Sequence, residues 1–150
     1  MTIEYIKKDI TTVGVGIIVH GVNCQHEMAS GVAKAIRAKF PKAYESYMNQ
    51  PKGNTMLGTA FLVEIENGLF VANCYTQLFY GYGGGAYADK LSVFDSLHLV
   101  FNQSDYHDLP IFMPRIGCGL GGLDWTTDVQ PIIEELNELY PRVKVFVCDL

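Results

Sequence analysis

The chain of 150 residues is long enough for one globular domain, and its 49% apolar and 18% charged residues are typical of a folded core rather than a disordered segment. No stretch approaches the roughly 18 to 20 consecutive apolar residues of a membrane span, and the charged opening MTIEYIKKDI argues against a secretion signal. The net charge of −5 excludes a basic surface for nucleic-acid backbones. Any phosphate bound here must be held mainly by backbone dipoles.

The cysteine and histidine positions indicate neither disulfides nor a metal site. No Cys-x-x-Cys pair and no His-Glu-x-x-His arrangement is present. The residues are Cys24, Cys74, Cys118 and Cys148, with His20, His26, His98 and His107. We therefore expect reduced thiols, a cytoplasmic location, and neither a metal ion nor another cofactor.

Strand and helix patterns alternate along the chain. The β-branched run 13–19 predicts a buried strand ending at His20, followed by a polar loop over 21–30. Helical spacing begins at Gly31 and is interrupted at Pro41. The predicted strands are 3–6, 13–19, 59–65, 69–74, 111–114 and 143–147, and the predicted helices begin at 31, lie around 44–48 and at 88–103, and extend along 129–140.

A hairpin is predicted where Asn67 and Gly68 separate two strand-like runs, because Asn-Gly supplies the positive φ angles of a tight primed turn. The hairpin requires an antiparallel pair among strands that otherwise alternate with helices. We therefore predict one three-layer α/β/α domain over 1–150, with a mixed, roughly six-stranded sheet.

The segment Gly117-Cys-Gly-Leu-Gly-Gly122 matches the G-x-G-x-x-G pattern between a predicted strand and a predicted helix, where free amides favour an anion. A dinucleotide-binding fingerprint belongs on the first strand and needs an acidic residue about twenty positions later. Here the motif follows the penultimate strand, and position 142 is Arg. The pattern favours an anion-binding loop, with a purely structural glycine turn as the alternative.

A second transition from strand to helix lies in the segment 20–35. It has a polar loop containing Asn23 and a helix start at Ser30-Gly31, whose first amides would be free. Two such ends in one small domain can hold two phosphates, which suits a diphosphate.

Together these segments resemble the macro domain, an α/β family that binds ADP-ribose. The matching segments are Lys8-Asp-Ile-Thr11, Val22-Asn23, Ser30-Gly-Val-Ala33 and the block from Pro114 to Trp125. The resemblance covers nearly the whole chain and implies a six-stranded mixed sheet between helices. The last block resembles a subgroup of ADP-ribose 1″-phosphate phosphatases and of terminal and DNA ADP-ribose glycohydrolases.

The resemblance also implies roles for individual residues. Asp9 would accept from the adenine amino group beside Ile10, and Asn23 would bind the distal ribose. The other implied ligand-binding residues are Ser30, Gly31, Val32, Ala33, Gln77, Ile116, Gly117, Cys118, Gly119, Leu120, Gly121, Gly122 and Leu123. The alternatives are a solvated turn carboxylate for Asp9 and an Asx-type turn for Asn23.

The segment Asn73-Cys-Tyr-Thr-Gln77 departs from the glycohydrolases that it resembles, which carry a catalytic lysine where this chain has Gln77. Glutamine cannot form an imine or titrate. The resemblance therefore implies a phosphatase that converts ADP-ribose 1″-phosphate to ADP-ribose and phosphate. The alternatives are a glycohydrolase that works without the lysine and a non-catalytic ADP-ribose reader. Neither a membrane nor nucleic acid is expected as a partner, unless the nucleic acid carries ADP-ribose.

A cysteine phosphatase needs the motif Cys-x5-Arg, but Asp124 stands where an arginine would have to follow Cys118. The catalytic candidates are therefore residues that could assist attack by water. Water attack would be assisted by loop amides and by a side chain that handles the proton. We predict His20 as the first candidate, with Asn23 and Asp124 as the other catalytic residues. His26 and Asp89 are further candidates for the group that handles the proton. The alternatives are a structural His20 and an Asp124 that caps the last helix. An aromatic wall around the glycine-rich stretch 81–85 could close over the ligand.

Overall fold

The computed structural model describes residues 3–28, 31–78 and 88–150, and its centre is a six-stranded sheet. The strands are β1 (Ile3–Lys7), β2 (Gly16–Asn23), β3 (Ala60–Glu66), β4 (Leu69–Gln77), β5 (Ile111–Met113) and β6 (Val145–Asp149). Their order across the sheet is β1-β6-β5-β2-β4-β3. Among these strands β3 and β4 pair antiparallel and every other neighbouring pair is parallel, which confirms the predicted mixed sheet.

Helices cover both faces of the sheet. They are α1 (Gly31–Lys39), α2 (Pro41–Met48), α3 (Lys90–His107) and α4 (Gln130–Leu139). Alternate residues of a strand point to opposite faces. Accordingly, Ile18 packs in the core beneath α1 and α2, whereas Ile17 and Val19 pack in the core beneath α3 and α4. The three-layer α/β/α prediction is confirmed.

Local signals set the ends of several helices. Pro41 and Pro131 each stand in the first turn of a helix, where the missing amide hydrogen costs nothing. The Asp89 side chain caps α3 by accepting from the Ser92 amide at 3.1 Å. Asp108 ends that helix in the left-handed conformation, with a φ of 54°.

Two local predictions are wrong. Strand β2 begins at Gly16 rather than at 13, and it does not end at His20 but continues to Asn23, because β4 pairs with it along this whole length. The polar loop therefore begins only at Cys24. The hairpin turn is not of the primed type with two positive φ angles, since Gly68 has a φ of 83° and Asn67 does not lie in the positive region. A register shift between Glu64 and Glu66 fits the hairpin to this turn.

None of the helices within the described ranges is long and apolar enough to cross a membrane.

Candidate functional site

The topology places a crevice at the carboxyl edge of the sheet, between β2 and β5. These strands are parallel neighbours, yet the chain leaves β2 for α1 on one face and leaves β5 for α4 on the other. Loops that diverge from adjacent parallel strands open a crevice, which is where α/β sheets bind ligands. Its walls are the loop 24–28 after β2 and the loop 114–124 after β5, and we call this space the crevice.

The glycine loop forms one wall of the crevice. Positive φ angles at Gly117 (78°), Gly119 (70°) and Gly122 (81°) fold it into tight turns that other residues rarely adopt. The Gly122 amide donates to the Gly119 carbonyl at 3.1 Å, and the Leu123 amide donates to the Gly117 carbonyl at 3.0 Å. The amides of Gly117, Gly119 and Gly121 donate to no described residue, so they are available to an anion.

Gly121 connects the glycine loop to β4. Its carbonyl accepts from the Ala88 amide at 2.9 Å, and a Cβ built on it would lie 3.1 Å from the Ala88 Cβ and 3.8 Å from Gln77 Oε1. The half-buried Gln77 at the end of β4 is therefore beside the glycine loop. The structure thus brings together two segments that are separated in sequence by more than forty residues.

The start of α1 follows the loop 24–28 along the chain, which is the other wall of the crevice. Gly31 begins the helix with a φ of 58°, and Val32 and Ala33 complete its first turn. The first amides of a helix have no partner within it and carry the positive end of its dipole. This half of the predicted diphosphate site is thus formed in part by backbone groups. Ser30 and the stretch 81–85 lie outside the described residues.

Asn23 organises the loop after β2. Its Oδ1 accepts from the amides of Gln25 (2.9 Å) and Glu27 (3.3 Å) and from the Tyr47 hydroxyl (2.8 Å), while its Nδ2 donates to the Glu27 carbonyl at 2.9 Å. The Asx-type turn considered as the alternative for Asn23 is therefore present. The ribose contact implied by the resemblance stays a prediction, with one Nδ2 hydrogen left for it.

Asp9 and Ile10 lie just beyond β1, at the same carboxyl edge. Asp9 is exposed, and its Oδ1 accepts from both the Thr11 hydroxyl (2.7 Å) and the Thr11 amide (3.0 Å). These two hydrogen bonds hold the pKa of Asp9 below its ordinary value, so the side chain is an anion at neutral pH. Ile10 is buried in the core beneath α1. Their roles at an adenine remain predictions.

His20 lies inside the sheet rather than at a strand end. It is 1% exposed, and its Nε2 pairs with Asn73 Oδ1 across β2 and β4. Burial lowers the pKa of His20 to about 4, so the ring is neutral at pH 7. This placement matches the structural alternative and does not suit a group that must exchange protons with a ligand.

Asp124 and Cys118 flank the glycine loop. Asp124 is exposed and caps the turn Trp125–Val129, with its Oδ1 accepting from the Thr127 amide at 2.9 Å and hydroxyl at 3.0 Å. These bonds hold the pKa of Asp124 below its usual value, so it is ionised and can only accept a proton. Burial raises the pKa of the Cys118 thiol, which argues against a thiolate nucleophile.

The sequence patterns missed two residues that shape the crevice. Tyr47 contacts Asn23 from α2, and no local pattern distinguishes it from an ordinary apolar helix position. Arg115 forms a two-pronged ion pair with Asp149, its Nε and Nη2 lying 3.0 and 3.1 Å from the two carboxylate oxygens. Arg115 lies in the block from Pro114 to Trp125 that carries the resemblance. Its ion pair could not be predicted from that block, because Asp149 is 34 residues away. No group of three metal-binding side chains is found within the described ranges.

The sequence model of the family described as Macro domain matches residues 19–132. That match covers most of the chain, which therefore belongs to the macro domain family. Together, the six-stranded mixed sheet and the carboxyl-edge crevice are consistent with this family's fold.

The curated proteins that resemble the chain include a phage protein and two enzymes. An uncharacterized 17.5 kDa protein of Enterobacteria phage T4, from the tk-vs intergenic region, is 31% identical, covering 99% of this chain and 97% of that protein. An ADP-ribose 1″-phosphate phosphatase of Saccharomyces cerevisiae is 22% identical, covering 81% of this chain and 84% of the relative. A DNA ADP-ribosyl glycohydrolase of Mycobacterium tuberculosis is 23% identical over 91% of this chain, which spans 39% of that enzyme.

Solved structures agree with the fold. A protein from Bacteroides thetaiotaomicron superposes with a TM-score of 0.84 at 30% identity, covering 99% of both chains. The macrodomain of Mycobacterium tuberculosis DarG superposes with a TM-score of 0.82 at 21% identity, covering 99% of this chain and 97% of that one. The second likeness shows the fold alone.

Proposed function

We propose that the crevice binds ADP-ribose and that the chain hydrolyses ADP-ribose 1″-phosphate to ADP-ribose and phosphate. The observation that carries this proposal is that the glycine loop and the first turn of α1, both with free backbone amides, follow the neighbouring parallel strands β5 and β2 at one edge of the sheet. A chain with a net charge of −5 can hold a diphosphate in this way without a basic surface.

The strand order suggests how such a ligand would lie. Asp9 follows β1 at one end of the carboxyl edge, and Gln77 ends β4 towards the other, with the crevice between them. An elongated ligand would place its adenine near Asp9, its diphosphate at the glycine loop and its distal ribose near Asn23 and Gln77. The two distant relatives named for ADP-ribose chemistry support this class of ligand.

In the proposed reaction a water oxygen attacks phosphorus, and the bond from phosphorus to the C1″ oxygen breaks. The loop amides stabilise the charge that develops on the phosphoryl oxygens. Asp124 is ionised and exposed, so it is our candidate to accept one proton of the attacking water and to pass it to the 1″ oxygen as ADP-ribose leaves. The other water proton stays on the phosphate. Four free thiols fit a reducing compartment, and we propose a cytoplasmic location.

A second candidate is hydrolysis of an ADP-ribosyl bond on protein or nucleic acid, which the similarity to the mycobacterial glycohydrolase favours. Gln77 weighs against it, because an amide cannot supply the titrating amine of a lysine-dependent enzyme. The third candidate, a reader without activity, would use the same amides.

The test is incubation with ADP-ribose 1″-phosphate, with release of inorganic phosphate as the readout. We expect equal amounts of phosphate and ADP-ribose from the wild type and little from Gly121→Val, whose side chain would meet Ala88 and Gln77. Gly14→Ala is the control, since a Cβ there meets nothing within 4 Å. Release of labelled ADP-ribose from a modified protein or DNA, with no phosphate released from ADP-ribose 1″-phosphate, would favour the glycohydrolase. Tight ADP-ribose binding without turnover would favour the reader, and no binding would overturn all three.

A further inference from the structure

A buried tyrosine lies beneath the loop that forms the β2 wall of the crevice. Tyr47 of α2 is fully buried, and its hydroxyl oxygen is 2.6 Å from the Asn23 carbonyl oxygen and 2.8 Å from Asn23 Oδ1. A hydroxyl has one proton, so it is shared between these two acceptors. One helix residue thus contacts both the backbone and the side chain of the last residue of β2.

The orientation of the Asn23 amide is determined by its neighbours. Two of the groups that contact its Oδ1 are the backbone amides of Gln25 and Glu27, which can only donate. These two amides occupy the two lone pairs of Oδ1, and the Tyr47 hydroxyl, whose one proton also faces the Asn23 carbonyl, adds a third contact to it. Only one Nδ2 hydrogen remains, because the other bonds to the Glu27 carbonyl.

From these contacts we infer that Tyr47 is a positioning residue that fixes Asn23 as a hydrogen-bond donor towards the crevice. The group of the ligand that faces Asn23 must then be an acceptor, such as a ribose or phosphate oxygen. This inference rests on the proposed function for the identity of the ligand. The part that concerns the loop itself does not depend on any ligand.

The loop needs such support. His26 has a φ of 63°, a left-handed conformation that non-glycine residues rarely adopt, and its ring packs edge-on against the Tyr47 ring with centroids 5.3 Å apart. Burial raises the pKa of Tyr47, so the hydroxyl stays protonated and donates throughout the neutral range. Tyr47 therefore supports the loop through its ring as well as through its hydroxyl.

The same cluster provides a matched control. Tyr75 is also fully buried, and its ring centroid lies 5.8 Å from that of Tyr47. Its hydroxyl has no hydrogen-bond partner among the residues that the structure describes. Tyr75→Phe therefore deletes the same atom from the same packed cluster without breaking a hydrogen bond to a described residue, whereas Tyr47→Phe removes the hydroxyl that contacts both oxygens of Asn23.

The experiment compares ADP-ribose binding by calorimetry for the wild type, Tyr47→Phe, Tyr75→Phe, Asn23→Ala and the double variant of Tyr47→Phe with Asn23→Ala. We expect Tyr47→Phe to raise Kd about tenfold and Tyr75→Phe to change it less than about twofold. The double variant should bind no more weakly than Asn23→Ala alone, because Tyr47 acts through Asn23. Equal effects of the two tyrosine variants, or additive effects in the double variant, would overturn the inference.

Hydrogen exchange in the ligand-free protein gives a readout that does not need binding. The amides of Gln25 and Glu27 should exchange faster in Tyr47→Phe than in Tyr75→Phe, because they donate to the oxygen that Tyr47 holds. Failure of the wild type to bind ADP-ribose would overturn the proposed function. The hydrogen-exchange rates would then still test whether Tyr47 positions the loop. Unchanged exchange in Tyr47→Phe would overturn the positioning role whatever the ligand is.

Discussion

His20 Nε2 and Asn73 Oδ1 lie 2.5 Å apart within the sheet, where β2 and β4 place the two residues opposite each other. The amide nitrogen of Asn73 donates onward to the Ala43 carbonyl at 3.1 Å, which links the sheet to α2. Because this bond uses the Asn73 nitrogen, its oxygen faces His20, and Nε2 must carry the proton. His20 is thus a neutral donor in a buried structural link.

This link predicts a pH dependence of stability. Burial lowers the pKa of His20 from 6.5 to about 4, so the unfolded chain binds a proton between these values and the folded chain does not. The stabilisation is complete above about pH 6.5 and is lost as the pH falls towards 4. For the wild type, His20 should account for a loss of about 2 kcal/mol in unfolding free energy between pH 7 and pH 5.

Urea unfolding of His20→Gln at the two pH values checks this, with His107→Gln as the control because His107 is exposed. His20→Gln should depend less on pH than the wild type, and His107→Gln should follow the wild type. An unchanged pH dependence in His20→Gln would show that the ring titrates normally.

Gly121→Ala should weaken ADP-ribose binding about tenfold with little change in secondary structure. The added Cβ would lie 3.1 Å from the Ala88 Cβ, so the glycine loop must move by a few tenths of an ångström and its amides with it. Gly14→Ala is the control, because its Cβ meets nothing within 4 Å. Calorimetric Kd values measure both, and equal affinities would contradict the role of the loop.

Asp124 combines a cap with the proposed proton acceptor, and two substitutions separate these roles. Asp124→Ala should lower the unfolding free energy by about 1 kcal/mol, whereas Asp124→Ser keeps an oxygen for the Thr127 amide and should stay within about 0.5 kcal/mol of the wild type. Both should lower kcat for phosphate release at least about tenfold with little change in KM. A kcat near that of the wild type in Asp124→Ser would remove Asp124 from the reaction and leave only the cap.

We expect Arg115→Ala to affect the Kd for ADP-ribose more than it affects the free energy of unfolding. Its ion pair with Asp149 is partly exposed, so Arg115→Ala should cost less than about 1 kcal/mol in unfolding free energy. The pair holds the loop after β5 against β6, and its loss should raise Kd for ADP-ribose about fivefold. Arg142→Ala breaks a comparable exposed pair with Asp105, at 2.9 Å on the opposite edge of the sheet, and should leave Kd unchanged. Equal effects of the two variants on Kd would contradict this role.

Local patterns were sufficient for the element order and the three layers, because apolar periodicity reports which face of a strand or helix is buried. They were insufficient for the end of β2. His20 was predicted to end the strand and Asn23 to lie in the loop, because both are polar. Each has a buried partner, Asn73 at 53 residues' separation and Tyr47 at 24. Such pairing exists only once the sheet and α2 are packed together.

Local sequence patterns were likewise sufficient for only part of the crevice. Glycine spacing predicted the loop 117–122 correctly, since its positive φ angles are a local property of the chain. The contact of Gly121 with Ala88 and Gln77, and the ion pair of Arg115 with Asp149, join distant segments. Residue spacing along the sequence cannot predict such contacts, because they form only when the chain is folded.

The most direct test of ligand binding in the crevice is an NMR titration of the 15N-labelled chain with ADP-ribose. We expect the largest shifts at the amides of Gly117, Gly119, Gly121, Val32 and Ala33, whose hydrogens would contact the diphosphate. Residues 104–110 at the opposite edge of the sheet should not shift and provide an internal control. Saturation with ADP-ribose that leaves the glycine-loop amides unmoved, or no binding at all, would contradict the proposed site.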